Sequence, residues 1–217
     1  MTEPAIVHDD GAVLVLAKPA GMPTVPYRAG DRESCLRAWV EARLGKRVFV
    51  VHRLDKETSG LVAFAHDAAT HRRLSMAFER RAVGKQYLAV VLGHVAELSG
   101  EIVAPLREFG SGRVAVAPDG KPARTRFALR ERLIDADLLE IDLVTGRRHQ
   151  IRVHLFHLGH PVLGDPLYGA PRPVGGARRL LLHAWRLALP ACDGPPLQWT
   201  LPPPAAFTAE VDARRAR

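Results

Sequence analysis

The sequence predicts an α+β fold, with a mixed, largely antiparallel central sheet flanked by helices around a cleft. Two β-type runs, Thr125–Leu129 and Leu138–Val144, follow one another at hairpin spacing with no room for a helix between them, which favours antiparallel pairing. Helical periodicity surfaces only at intervals, in Cys35–Leu44 and Ala68–Arg81, so strands and helices do not alternate regularly. Pro- and Gly-rich punctuation separates the apolar segments, and no repeat, heptad or low-complexity block interrupts the 217 residues. A single domain over residues 1–217 is the expectation.

In chain order, Val13–Leu16 reads as a strand entering a turn at Lys18-Pro19-Ala20-Gly21, and Leu61–Ala65 as a short apolar strand. Over 68–81, Leu74, Ala77 and Phe78 share one helical face, His71, Arg72 and Arg80 fall on the other, and Asp67 supplies an N-cap. Tyr87–Leu92 has the composition of a buried strand. Residues Pro105–Pro122 carry Gly, Arg107, Arg113 and Lys121 with little periodicity, and read as a surface loop or loose hairpin. A short helix starts near His149 and stops at Gly159; Ile151, Leu155 and Leu158 form its buried face and Arg152 turns away from it. The tail Arg214-Arg215-Ala216-Arg217 reads as a frayed, charged terminus.

With 47% hydrophobic residues the chain buries a core of ordinary size. Cys35 and Cys192 stand far apart in no metal or redox spacing, which fits reduced thiols in the cytoplasm. The start of the chain is acidic and the apolar run Ala12–Ala17 is too short for a leader or a span, so no membrane role is expected. Thirty-one Lys and Arg against 23 Asp and Glu leave a net charge of +8, the balance of a protein that meets a polyanion or of a basic solvated surface.

The chemistry concentrates in His52-Arg53-Leu54-Asp55-Lys56-Glu57-Thr58-Ser59-Gly60, which sets one carboxylate in a turn crowded with hydrogen-bonding groups ahead of an apolar strand. A carboxylate can act as a nucleophile. Burial alone would raise its pKa and silence it, whereas a cation within about 4–6 Å lowers it by about 1–3 units, so a working Asp55 needs a cationic partner. Two further strings follow, Gly84-Lys85-Gln86-Tyr87 and Gly146-Arg147-Arg148-His149-Gln150-Ile151-Arg152-Val153-His154.

In this order the three strings resemble the RluA-type family of RNA pseudouridine synthases, and the likeness runs from about Ile6 to Pro203. The resemblance implies an isomerase that turns uridine in RNA into its carbon-linked isomer. It also implies the pseudouridine synthase fold, an RNA partner (a stem-loop of ribosomal RNA, transfer RNA or both), a monomer, and no separate N-terminal RNA-binding module. The isomerisation moves no electrons and requires neither metal nor nucleotide cofactor. Asp55 matches the family's catalytic aspartate, Arg152 the arginine that pairs with it, and Tyr87 the active-site tyrosine, which either stacks on uracil or relays a proton. The target nucleotide must be turned out of its stack at a cost of a few kcal/mol. Arg53 resembles the arginine that fills the vacated place, its bland alternative being a structural ion pair. Lys85, Arg147 and His149 flank these groups and either contact phosphates or are ordinary surface residues. His52, Thr58, Ser59 and Gly60 shape the loop. RNA choice falls to Met22–Glu33 and Pro105–Pro122.

Three other readings compete. His154, His157 and His160 recur at metal-like spacing, but no cysteine or carboxylate joins them in the helix and Gly159 ends it before His160, so no metal is expected. Asp55-Lys56 followed by Thr58 is similar to the aspartyl-phosphate loop of ion pumps, yet Glu57 interrupts that order and no glycine-rich phosphate cradle is present. A non-catalytic RNA-binding protein that keeps the synthase fold is the remaining alternative; it would bind RNA and form no product.

Overall fold

The computed structural model describes residues 3–26, 34–110, 112–170, 172–191 and 194–215. Along the chain run β1 (Ala5–Asp9), β2 (Val13–Lys18), α1 (Leu36–Leu44), β3 (Phe49–Val50), β4 (Ser59–Ala65), α2 (Ala68–Glu79) and β5 (Gly84–Leu92). They are followed by β6 (Ser99–Val103), β7 (Leu106–Glu108), β8 (Val114–Val116), β9 (Arg124–Arg132), β10 (Ala136–Leu143) and α3 (Gln150–His157). Last come β11 (Leu182–Leu189), β12 (Leu197–Thr200) and α4 (Ala205–Asp212). Two compact units emerge, each built from two stretches of chain: Met1–Gly84 with Ala184–Leu201, and Lys85–His183 with Pro202–Arg217.

In the first unit, β2 pairs antiparallel with β1 and with β4, from Val13 opposite Ala65 to Lys18 opposite Gly60. The short β3 also pairs with β4, β11 neighbours β4, and β12 pairs with β11. Val13, Val15, Leu61 and Ala63 point to one face, where Leu74 and Ala77 of α2, Val83, Leu187 and Leu189 pack on them. The alternate residues Leu14, Leu16, Val62 and Phe64 are fully buried on the other face. Burial on both faces is why these strands read as continuous apolar runs instead of alternating ones. Each such side chain contributes about 1.5–3 kcal/mol. Asp67 caps α2 as predicted: its carboxylate accepts from the Thr70 amide and hydroxyl, both at 2.8 Å.

Gly60 lies in β4, not in a turn as the sequence suggests. With φ at 123°, a β-carbon there would collide with the backbone of Ala184, so the site demands glycine for close approach of two chains.

In the second unit the strand order is β5–β10–β9–β6, antiparallel throughout, with Tyr87 opposite Ile141 and Ile141 opposite Phe127. The predicted hairpin of Thr125–Leu129 and Leu138–Val144 is the β9–β10 pair. The Pro105–Pro122 segment folds as the β7–β8 hairpin, anchored because Leu106 and Val114 bury against Ala123, Val153 and Tyr168.

Helix α3 departs from its predicted facing. Ile151 and Leu155 are buried, but Leu158 is 41% exposed, whereas every residue from Gln150 to Leu155 is buried, Arg152 completely. The first six residues of the helix are enclosed on all sides and offer no water-facing stripe for an arginine, so Arg152 is inside and needs a partner there. The C-terminus is also tied down. The Ile134 amide donates to Arg214 O, and Arg215 forks onto Glu131 at 2.7 and 2.9 Å, so the chain is not frayed through residue 215. Ala216 and Arg217 lie outside the described residues, as do Cys192 and residues 27–33 of the predicted recognition stretch Met22–Glu33.

Candidate active site

Asp55 sits half-buried in the loop that leads into β4, between buried Leu54 and exposed Lys56. The backbone on either side of it is held. Thr24 Oγ1 accepts from the Leu54 amide at 3.1 Å and donates to Leu54 O at 3.0 Å. Lys56 O accepts from Lys18 Nζ at 3.1 Å and from the Gly21 amide at 2.8 Å. Lys18 is itself almost fully buried, and its ammonium also donates to Pro19 O and Met22 O. The turn closes with the Thr58 amide on Asp55 O at 3.2 Å, and the Ala63 amide donates to His52 Nε2 at 3.0 Å. Clamps of this kind fix where a carboxylate points without using the carboxylate, which is what a reacting group requires. Lys18, which reads in sequence only as the start of a turn, is thus a brace of the loop.

Arg53 is exposed in the same loop. Thr58 Oγ1 is buried with no hydrogen-bond partner among the described residues.

The second unit carries the other predicted residues. Tyr87 is 6% exposed on β5. Lys85, two residues earlier, has its pKa lowered because burial disfavours its charge, with Asp142 partly offsetting this. Its Nζ lies 3.5 Å from where a β-carbon on Gly146 would stand, which places it beside the turn carrying exposed Arg147. That turn is pinned by Gln150. Its Oε1 accepts from Thr145 Oγ1 and the Arg147 amide, and its Nε2 donates to Arg124 O and Thr125 Oγ1, all within 2.7–3.0 Å. Every hydrogen-bonding position of the amide is filled, so its burial carries no desolvation penalty left uncompensated.

His149 is not a surface residue. It is 7% exposed, holds a left-handed backbone conformation with φ 53°, and its Nδ1 lies 2.8 Å from Tyr168 Oη. Such a conformation costs a non-glycine residue about 1–3 kcal/mol and persists only where neighbours enforce it.

Arg152 faces Asp165. Nε reaches Oδ2 at 2.7 Å and Nη2 reaches Oδ1 at 2.8 Å, with both side chains at most 1% exposed. Asp165 Oδ1 also accepts from the Leu167 and Tyr168 amides, and the guanidinium lies 5.2 Å over the Tyr168 ring. A two-pronged pair with added hydrogen bonds is the geometry that makes a buried ion pair tolerable.

A family model described as RNA pseudouridylate synthase matches residues 12–157, about two thirds of the chain. The chain belongs to that family. A ribosomal large subunit pseudouridine synthase D of Nitrosomonas europaea is 37% identical over 224 residues, which cover 97% of this chain and 65% of the relative. The protein of the same name from Escherichia coli strain K12 is 33% identical over 230 residues, covering 97% and 70%. An RNA pseudouridine synthase of Chloroflexus aurantiacus is 42% identical over 180 residues, covering 79% and 57%. This family member therefore spans 65% and 57% of the length of two of these relatives. Two solved human structures share its fold. RNA pseudouridylate synthase domain containing 1 superposes with TM-score 0.81 at 29% identity, covering 97% of this chain and 87% of its own. Domain containing 4 gives 0.79 at 25%, covering 96% and 92%. The predicted α+β, largely antiparallel pseudouridine synthase fold is the one found.

Within this synthase-family chain, Arg53 and Asp55 share one loop of the first unit. Lys85 and Tyr87 share β5, and Arg147, His149 and Arg152 share the turn and helix α3 of the second. Sequence reading missed Asp165, although a signal was present. It is the sole acidic residue between Leu143 and Cys192, hence the nearest candidate for an arginine on a helix with no polar face. Missed too was Tyr168, which touches His149, Arg152 and the Val114 amide.

His154, considered as a metal ligand from sequence, is fully buried with Nδ1 2.8 Å from Thr125 Oγ1 and Nε2 2.9 Å from Ala104 O. The carbonyl can only accept, so Nε2 carries the proton. Thr125 Oγ1 already accepts from Gln150 and donates its hydroxyl proton to Nδ1. This neutral tautomer is fully used, and burial lowers the His154 pKa from its ordinary 6.5. The unfolded chain therefore binds the proton more readily than the folded one. Stability is fully present above pH 6.5 and is lost as pH falls below it toward the depressed folded value. Urea midpoints measured at pH 7.5 and 5.5 are expected to fall on acidification, and to fall less in His154→Gln; equal falls in both proteins would remove His154 as the cause.

Proposed function

We infer that the chain is an RNA pseudouridine synthase, an isomerase of specific uridines in ribosomal RNA, transfer RNA or both. The observation that carries this reading is the Asp55 loop, braced from both sides by Thr24 and Lys18, in a chain of the pseudouridylate synthase family. The reaction breaks the bond between the sugar and ring nitrogen, turns the uracil, and joins the same sugar carbon to a ring carbon. That carbon gives up its proton and the released nitrogen gains one, so atoms and electrons balance with no redox partner. Asp55 serves as the nucleophile, and a carboxylate can form and release such an adduct unaided. The family resemblance gives Arg152 the task of keeping it ionised and Tyr87 that of facing the uracil. Arg53, exposed beside Asp55, is suited to stack in the gap left by the everted nucleotide. Ribosomal RNA is favoured as substrate by the names of the relatives from N. europaea and E. coli.

The test is direct. Purified protein is incubated with unmodified cellular RNA and buffer alone, and pseudouridine is mapped by chemical labelling and sequencing. New pseudouridine at discrete positions is the expected result. RNA that binds the folded protein yet stays unmodified across ribosomal and transfer RNA substrates would leave a non-catalytic binding protein.

A further inference from the structure

We propose that the second unit holds a stacking site for one unpaired base of the RNA, in a groove between the β7–β8 hairpin and α3, where the hairpin contributes Phe109 and the helix Phe156. The groove encloses about 550 Å³. Its floor is firm, since Val114, Val153 and Tyr168 are at most 4% exposed and belong to one packed cluster. The two phenylalanines are different: Phe109 is 38% exposed and Phe156 47%. Among the described residues no other phenylalanine, tyrosine or tryptophan is exposed, and both of these line the same groove. The backbone of Phe109 is held in the closed hairpin, its amide donating to Arg113 O at 2.9 Å and its carbonyl accepting from the Gly112 amide at 2.8 Å.

Exposed rings alone would fit a protein as well as a base, and the charge around them favours the base. Arg113 and His157 line the groove and no carboxylate does. Arg113 is held there by its Nη2, which donates to Leu167 O at 3.0 Å. The carboxylates of the hairpin are engaged elsewhere: Glu108, next to Phe109, by Arg148, and Asp119 by Arg107, whose guanidinium lies 4.5 Å over the Phe109 ring. A phenylalanine offers no hydrogen bond, so it meets the flat face that every base has and reads no base edge. Rings for the bases beside cations for the backbone are the combination that holds a single strand of nucleic acid.

The groove also adjoins the arginine to which the proposed function gives a task. Tyr168 lines the groove and has the Arg152 guanidinium 5.2 Å over its ring. Phe156 follows Arg152 by one turn of α3, about 6 Å along the helix. A base stacked here therefore belongs to a nucleotide near the target uridine, and the site grips the strand without touching the reacting ring.

This inference rests on the RNA reading above, and one assay separates the two. The RNA stem-loop in which pseudouridine is mapped is labelled, and a matching set is made with one abasic residue at each unpaired position in turn. Binding is measured by anisotropy for wild type, Phe109→Ala/Phe156→Ala and Phe109→Trp/Phe156→Trp. Loss of one base–ring stack is expected to weaken binding of the alanine variant about 5- to 150-fold. Because no phosphate contact is removed, its dependence on salt between about 0.1 and 0.4 M should match wild type. The tryptophan variant keeps a ring at both positions and should bind as wild type does. At one unpaired position the abasic RNA should lose a similar factor with wild type and lose nothing further with the alanine variant. Unchanged RNA affinity in the alanine variant overturns the base site and leaves the synthase reading intact, and so do abasic losses that are the same in wild type and variant at every position. A wild-type dimer in sedimentation that the alanine variant abolishes, with RNA affinity retained, would overturn it in favour of a second copy of the chain. Wild type that binds no RNA removes both readings.

Discussion

Asp55→Asn is expected to lower the rate of pseudouridine formation by on the order of 10⁴-fold or more, the size seen when an enzyme loses its nucleophile, while RNA affinity stays within a few-fold. Asparagine keeps the shape of the side chain and leaves in place the bonds that hold the backbone of the loop. Thr24 holds Leu54, Lys18 and Gly21 hold Lys56, and Thr58 holds the Asp55 carbonyl. What the substitution removes is the charge and the ability to form an adduct. Single-turnover product formation and equilibrium RNA binding, measured side by side, separate these effects. A variant that still forms product at a tenth of the wild-type rate would take the nucleophile role from Asp55. Loss of RNA binding in parallel with activity would show instead that the residue supports the loop.

How much of this was legible in the sequence follows from which forces are local. The cap at Asp67, the buried face of α2 and the β9–β10 pairing depend on residues a few positions apart, and the pattern shows them. Strands β3, β6, β11 and β12 and helix α4 are not anticipated, and the residue pattern alone does not show β1. The exposed pattern of β1, for example, gives no buried alternation to read, and its partner β2 supplies the register. Gly60 was recognised but for the wrong reason, because the backbone of Ala184 that crowds it arrives from more than a hundred residues away. The motif strings drew attention to Asp55, Tyr87 and Arg152, yet the braces around Asp55 come from Lys18 and Thr24, whose chemistry is unremarkable until the chain is folded. His149 reads in sequence as a phosphate contact or an ordinary surface residue, whereas it is buried with Nδ1 against Tyr168 Oη. Arg152 is the sharpest case. Helical periodicity set it opposite the apolar residues, but periodicity cannot reveal that the opposite side is also enclosed.

That enclosure makes Asp165 the second residue whose loss should matter most. In Asp165→Ala the buried Arg152 guanidinium loses the carboxylate that receives its two-pronged bond, and the Leu167 and Tyr168 amides lose their acceptor. Breaking a buried pair by removing one member destabilises by about 3–5 kcal/mol. For a chain of this length the melting temperature should then drop by about 6–20 °C. Gly164 reinforces the expectation: a β-carbon there would strike the backbone of Arg179, so the segment carrying Asp165 cannot shift to refill the space. A double-mutant cycle decides whether the partnership, and not merely the packing of Asp165, is responsible. Arg152→Met removes the charge that Asp165 neutralises, so Asp165→Leu with Arg152→Met should be more stable than the sum of the single losses predicts, by more than 1 kcal/mol on the scale of coupled buried pairs. A coupling near zero would mean that each residue is held by other groups and that the fork between them contributes nothing of its own. Activity adds a separate axis. If Arg152 serves only the interior, the double variant regains activity along with stability. Recovery of stability without recovery of turnover would show that Asp165 orients a guanidinium the reaction uses.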